Sequence, residues 1–202
     1  MPKNAIAPPR KAVRVAPVAI LLGFAPFIAF SLLTNVSVDL ALWVAFAASF
    51  AIAIRDFAQS RLLRMLDMGC VALFGLFSLY VGFIQPGISV QMARLVVDGG
   101  LFAMAILSIV LRHPLTLQYA REQVPKEFWN TARFVFTNYL VTAAWALAFA
   151  LMALIEAVAN KDKHLPVTLD VAVSLLILAV AILFTARYPH YLRAHAARQP
   201  PR

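Results

Sequence analysis

The sequence has little charge and almost no cysteine. Of its 202 residues, 13% are charged and 62% are hydrophobic, and the mean hydropathy is +0.81. Soluble domains are close to half apolar and a quarter charged, and a soluble fold of this length could not bury so much apolar surface. The single Cys70 excludes a disulfide within the chain, and no Cys/His pair has the spacing of a structural zinc site. The composition therefore predicts an integral membrane protein.

The sequence also lacks the motifs of several enzyme classes. It contains no P-loop, no HExxH pattern and no nucleophile elbow. No apolar run carries the acidic or histidine chain of a proton relay, or the arginine repeat of a voltage sensor. We therefore predict no catalytic residue, no metal site and no cofactor, and enzymatic activity is disfavoured.

Six apolar runs fill most of the chain. Each is close to the length that a helix needs to cross a bilayer, and each is bounded by proline, glycine or charge. The bilayer requires each spanning segment to satisfy its own backbone hydrogen bonds, so these runs are predicted to be helices. The first run follows basic residues as in a signal peptide, but its length favours an uncleaved span. The predicted spans of this single all-α domain, 1–202, are 15–33, 38–54, 68–84, 95–111, 134–158 and 167–186.

The basic residues divide unevenly between alternate connections. With six spans, 15 of the 18 lysines and arginines fall on one side and three, Arg94, Lys161 and Lys163, on the other. The positive-inside rule then places both termini in the cytoplasm. The net charge of +9 would suggest nucleic acid in a soluble protein, but here anionic lipid headgroups explain it, and no nucleic-acid partner is predicted.

Polar side chains within the predicted spans are few. Asp39, Asp67, Glu156 and Asp170 fall at helix ends, where headgroups and water are expected to solvate them. Arg94 and Asp98 are one turn apart, so a local pair at the edge of the fourth span is expected, with a solute site as the alternative.

The fifth span carries a second polar pair. Asn138 and Trp145 share a helical face with Met152 and Glu156, and Asn138 is expected to bond a neighbouring helix. The candidate intramembrane polar site consists of Arg94, Asp98, Asn138 and Trp145.

Small residues predict where the helices contact one another, because lipid provides no hydrophobic drive for association. The third span offers Gly75, Ser78 and Gly82. The fourth offers Gly99 and Ala103.

The richest polar segment lies between the fourth and fifth spans. Its apolar residues alternate with charges, so it is predicted to lie along the headgroup layer and to bind lipid phosphate or an acidic partner. Two histidine-bearing helix ends on this side, with His113 at one and His190 and His195 at the other, leave open a haem between them. The candidate interaction and lipid-headgroup surface comprises Arg112, His113, Tyr119, Arg121, Glu122, Lys126, Trp129, Arg187 and His190.

The order of these features resembles the bacterial inner-membrane proteins of the intracellular septation protein A-like type. The first span carries an aromatic-proline stretch, 23–30, and a basic loop, 55–64, follows the second span. After the fourth span come His113-Pro114, the polar stretch 117–124 with Pro125, and Phe128-Trp129. Asn138 and the segment 145–149 complete the pattern, although Asn138 lies farther ahead of Trp145 than in the narrow septation group. The chain thus resembles a distant relative of this family more than a member of the narrow septation group.

The resemblance implies a non-enzymatic protein of the bacterial cytoplasmic membrane, acting in septation, envelope or lipid homeostasis. Its implied partners are membrane lipids and other inner-membrane or cytoplasmic proteins, with homo-oligomers left open. Two alternatives remain at this stage. One is a transporter or channel for a small solute or lipid, and the other is a membrane haem protein that transfers electrons.

Overall fold

The computed structural model describes residues 23–60, 64–161 and 167–196. Within these ranges the fold is all-α, as the six apolar runs predict. A single 3₁₀ turn, Lys126–Phe128, lies between α5 and α6. The helices of the described ranges are α1 Ala25–Leu33, α2 Val38–Ser60, α3 Met65–Phe83, α4 Val90–Val110, α5 Leu115–Gln123, α6 Ala132–Lys161 and α7 Val167–Ala196.

Helices α2, α3, α4, α6 and α7 are each long and apolar enough to cross a membrane. Large apolar side chains cover their outer faces, with Leu76 70% exposed, Phe83 79% and Leu176 64%. A soluble monomer does not expose apolar surface on this scale, because contiguous patches there are small. The chain is therefore an integral membrane protein with several apolar helices. Residues 15–22 of the first predicted span lie outside the described ranges, so the six-span count and the cytoplasmic termini stay predictions.

The bundle is built on contacts between α4 and α6. Ala93 and Ala105 of α4 and Ala146 of α6 are fully or almost fully buried, and such small side chains let membrane helices approach closely. Helices α1, α2 and α3 pack in sequence order, and α7 packs mainly on α6. The core between them includes large aromatic rings such as Phe30 and Phe74, which lie 5.7 Å apart.

In each of α2, α4 and α7, one boundary lies five or more residues from the predicted end of the span, because polar residues continue the helix. Helix α2 runs on past Ile54 to Ser60, and α4 begins at Val90, before Arg94. The Ser89 side chain accepts a hydrogen bond from the Met92 amide at 3.2 Å and so caps α4. Helix α7 does not end at residue 186, as predicted, but continues through Pro189 to Ala196.

The segment between α4 and α6 is helical and docked on the protein. Leu115, Leu117 and Tyr119 of α5 are between 5% and 8% exposed. The Thr116 hydroxyl donates to the Asn138 carbonyl of α6 at 2.9 Å. Bundle contacts therefore bury the apolar side of α5, and the position of the segment along the headgroup layer stays a prediction. Phe128, in the 3₁₀ turn, remains 51% exposed.

The bundle has two chemically different ends. At the first, called the basic end, α2 ends, α3 begins and α5 covers the helices. At the second, called the opposite end, α1 leads into α2, α3 into α4, and α7 begins. The turn between α3 and α4 contains Pro86-Gly87, where Gly87 has a φ of 82°, and this pair is the signature of a type II turn.

Candidate functional site

Four polar side chains from three helices meet inside the opposite end of the bundle. Arg94 and Asp98 come from α4, Glu156 from α6 and Asp170 from α7, and all four are at least 91% buried. Arg94 and Asp98 lie one turn apart and therefore on one face of α4, the face that also buries Val97 and Leu101. These four residues, with Asn35 after α1, are called the Arg94 cluster.

Arg94 links the helices of the cluster. Its Nη1 donates to Asp170 Oδ2 at 3.1 Å and lies 3.7 Å from Glu156 Oε1. Its Nη2 donates to Asn35 Oδ1 at 3.3 Å. One guanidinium thus joins α4, α6, α7 and the end of α1. The expected local pair with Asp98 is not formed, because the guanidinium extends towards the other helices.

Several polar atoms in and beside the cluster have no hydrogen bond in the described part of the chain. Among the described residues, Asp98 makes no hydrogen bond or ion pair, and its buried Oδ1 is unsatisfied. Glu156 Oε2, Asp170 Oδ1 and Ser174 Oγ are also buried without a hydrogen bond. Three carboxyl groups face one guanidinium, so the fully ionised cluster has a formal charge of −2. A buried carboxylate without a partner takes up a proton or binds a cation, because an isolated buried charge is strongly unfavourable.

The unsatisfied groups adjoin a cavity of about 220 Å³. Apolar side chains of α1, α6 and α7 form most of its lining, and the polar lining residues are Ser31, Asn35, Arg94, Asp98, Glu156 and Ser174. Leu32 of α1 and Leu175 of α7 also line it and are 71% and 60% exposed, so the cavity reaches the surface between these two helices. This space is called the Arg94 cavity.

The charged residues of the Arg94 cluster lie inside the bundle, about one turn or more from the ends of their helices. With a rise of 1.5 Å per residue, Asp98 is about 12 Å along α4 from Val90, and Glu156 is about 8 Å from the end of α6. Asp170 is about 5 Å into α7. The expectation that headgroups and water solvate Glu156 and Asp170 is wrong, because they are only 1% and 6% exposed. Asp67 is likewise 4% exposed, whereas Asp39 is exposed as expected.

Asn138 and Trp145 lie outside the Arg94 cluster, although both are buried on the α6 face that carries Glu156. The Asn138 side chain donates to the Phe134 carbonyl of its own helix at 2.8 Å, which differs from the expected bond to a neighbouring helix. The Trp145 indole donates to Thr185 Oγ1 of α7 at 3.0 Å and stacks on Phe24 at 4.3 Å. The structure therefore separates the four candidate intramembrane residues into two pairs.

A second ionic cluster closes the basic end. Arg64, just before α3, pairs with Asp56 of α2 and donates from Nη2 to Glu122 Oε2 of α5 at 2.8 Å. Its guanidinium also lies 4.6 Å from the Tyr119 ring centre. Burial lowers the pKa of Arg64, but Glu122, Tyr119 and Asp56 together raise it above its ordinary value, so the charge is firmly held. Arg64, which was not among the candidate residues, is the hub that fastens α5 to the bundle.

Tyr119 has a structural environment. Burial raises the pKa of its hydroxyl well above the ordinary tyrosine range, and the Asp67 carboxyl adds to this shift. The neutral hydroxyl donates to Asp67 Oδ1 at 3.3 Å. Tyr119 is therefore part of the packed interior and is not exposed for partner binding.

Other candidates at the basic end are accessible. Arg112 and His113 are exposed in the turn between α4 and α5, and Arg112 has a φ of 60°. Arg121 and Lys126 lie 5.4 Å and 6.0 Å from the Trp129 ring centre. Arg187 is exposed on α7. The side chain of His190 lies outside the described residues, so the haem hypothesis is not tested.

Comparison with known proteins gives no match to a family model, a curated protein or a solved structure. The resemblance to the septation protein A-like type therefore stays a prediction.

Proposed function

We propose that this membrane protein is a small-solute transporter that binds a cation in the Arg94 cavity. The observation that carries the proposal is Asp98, a carboxyl group 97% buried and unpaired beside a cavity. Ionisable groups at depth in a membrane protein face the bundle interior and mark ion or substrate paths. The excess of carboxyl groups over arginine favours a positively charged solute.

The difference between the two ends of the bundle also supports transport. The Arg94 cavity opens near the opposite end, whereas α5 and the Arg64 hub cover the basic end. A carrier must keep one side closed while the other is open, and ion-paired elements are suited to that role. The positive-inside rule would make the closed side cytoplasmic.

Transport can be tested as flux through the purified protein in liposomes. Uptake of radioactive rubidium or radiolabelled methylammonium should exceed that of empty vesicles. Asp98→Asn should reduce the initial rate about tenfold or more, because it removes the unpaired charge and keeps the shape. Asp39→Asn is the matched control, since Asp39 is an exposed aspartate at the same end of the bundle.

Two results would contradict transport. One is uptake of neither probe above empty vesicles. The other is an initial uptake rate that is the same for the wild type, Asp98→Asn and Asp39→Asn.

A second candidate function is interaction with the envelope through the basic end, by binding anionic lipids or other membrane proteins. Arg121, Lys126 and Trp129 place two cations beside one aromatic ring at this surface, and Arg112 and Arg187 are exposed there. Such clusters attract anionic headgroups. The same flux assay separates the two candidates, because an interaction protein gives no flux above empty vesicles.

A further inference from the structure

We propose that the ligand of the Arg94 cavity is a primary alkylammonium amphiphile that enters sideways from the bilayer between α1 and α7. This assignment rests on the proposed cation-binding function and narrows the substrate class. It depends on the donor and acceptor pattern, the lining, the size and the opening of the cavity.

The acceptor pattern matches a primary ammonium group. Asp98 Oδ1, Glu156 Oε2 and Ser174 Oγ belong to cavity-lining residues and lack hydrogen bonds. A primary ammonium has three N–H donors, the same number as these acceptors. The Arg94 guanidinium, which also lines the cavity, donates to Asp170 and Asn35 and makes no hydrogen bond to these three atoms.

The lining favours an organic ammonium over a metal ion or a hydrated cation. Within the described ranges, no three His, Cys, Asp or Glu side chains are placed to hold one metal ion. Most of the cavity wall is apolar and includes Phe27, Phe30 and Leu178, which offer nothing to a hydration shell. An alkyl chain, by contrast, gains hydrophobic contact with these side chains, and the phenyl rings attract a nearby cation.

The size and opening of the cavity fit a chain with one polar head. Its 220 Å³ is about one and a half times the ~150 Å³ engineered cavity that binds benzene. Leu32 and Leu175, at the surface opening, are apolar and exposed on the outer faces of α1 and α7. An ammonium head can therefore lie at Asp98 while the alkyl tail extends past these leucines into lipid.

The test is calorimetric titration of hexylammonium into the full chain in nanodiscs, with empty nanodiscs subtracted. We expect saturable binding that Asp98→Asn weakens about tenfold or more, and that Asp39→Asn leaves unchanged. Hexanol, which lacks the charge, and hexyltrimethylammonium, which lacks N–H donors, should each bind at least about tenfold more weakly. Ser174→Leu should abolish binding by filling the cavity, and it serves as a second variant if Asp98→Asn does not fold.

The ligand assignment is overturned if hexanol or hexyltrimethylammonium binds as tightly as hexylammonium, or if Asp98→Asn and Ser174→Leu both bind normally. Rubidium flux that depends on Asp98, with no hexylammonium binding, removes the ligand assignment and retains transport. Hexylammonium binding that depends on Asp98, with no flux of rubidium or methylammonium, retains the ligand assignment and removes transport.

Discussion

Replacing Arg94 with leucine is expected to lower the free energy of unfolding by about 3–5 kcal/mol. The substitution removes the cation that Asp170 and Glu156 face and leaves both carboxyl groups buried. Removing one partner of a buried ion pair is far more destabilising than replacing both partners. Adding Asp170→Leu to Arg94→Leu should therefore recover about 2 kcal/mol of the loss.

Unfolding of these variants can be followed by circular dichroism during denaturant titration in mild detergent. The control is Arg55→Leu, which removes an exposed arginine at the basic end of α2 and should change stability by less than ~0.5 kcal/mol. Equal stability of Arg94→Leu and Arg55→Leu would show that the guanidinium does not hold the helices together.

Replacing Arg64 with alanine is expected to detach α5 from the bundle and to cost about 3 kcal/mol. Most of the loss comes from Asp56, whose side chain is 7% exposed, because its pair with Arg64 is desolvated. Glu122 is 46% exposed, so Glu122→Gln should cost less than ~1 kcal/mol. Arg64→Lys should fall between them, since lysine cannot donate to both carboxylates with a planar fork.

Amide hydrogen exchange can measure the detachment of α5 residue by residue. Protection of the α5 amides, 115–123, should fall about tenfold or more in Arg64→Ala, while α4 and α6 keep their protection. Arg112→Ala is the control, because Arg112 is exposed in the turn before α5. Unchanged protection of α5 in Arg64→Ala would remove the hub assignment.

Hydropathy predicted the positions of the long helices well but not their polar ends. Helix α2 begins at Val38, as predicted, because the apolar run begins there. Helix α4 begins five residues before the predicted start at residue 95, because Arg94 was interpreted as a boundary. A single arginine does not end a membrane helix when its charge is neutralised inside the bundle, and that pairing cannot be seen in local hydropathy.

Contacts between residues far apart in the sequence could not be predicted from the sequence alone. Arg94 and Asp170 are 76 residues apart, and their contact depends on the rotation of α4 relative to α7. The nearest acid in the sequence, Asp98, is one turn away and suggested a local pair. The same uncertainty in rotation affected the small-residue faces, since an added Cβ at Gly99 or Gly82 meets nothing within 4 Å, whereas at Gly100 it meets Leu73 at 2.5 Å.

The docking of α5 on the bundle is not predictable from the sequence for a different reason. Its apolar residues at 115, 117 and 119 alternate, which resembles a surface segment more than a helix. Gln118 and Thr116 reveal its docking, because Gln118 accepts from the Met65 amide at 2.8 Å and Thr116 bonds α6. Such tertiary hydrogen bonds override local pattern.

The electrostatics of the Arg94 cavity can be measured without knowing the ligand. In a Cys70→Ser background, Ser174→Cys places one thiol in the cavity and Val36→Cys places one at an exposed site of the same end. Each is labelled with a cationic and an anionic thiosulfonate of similar size. At Ser174→Cys, the cationic reagent should react about tenfold faster or more than the anionic reagent, because the carboxyl groups concentrate cations in the cavity. At Val36→Cys, the two reagents should react at nearly the same rate. Equal rate ratios at the two positions, or faster anionic labelling at Ser174→Cys, would contradict a cation-binding cavity.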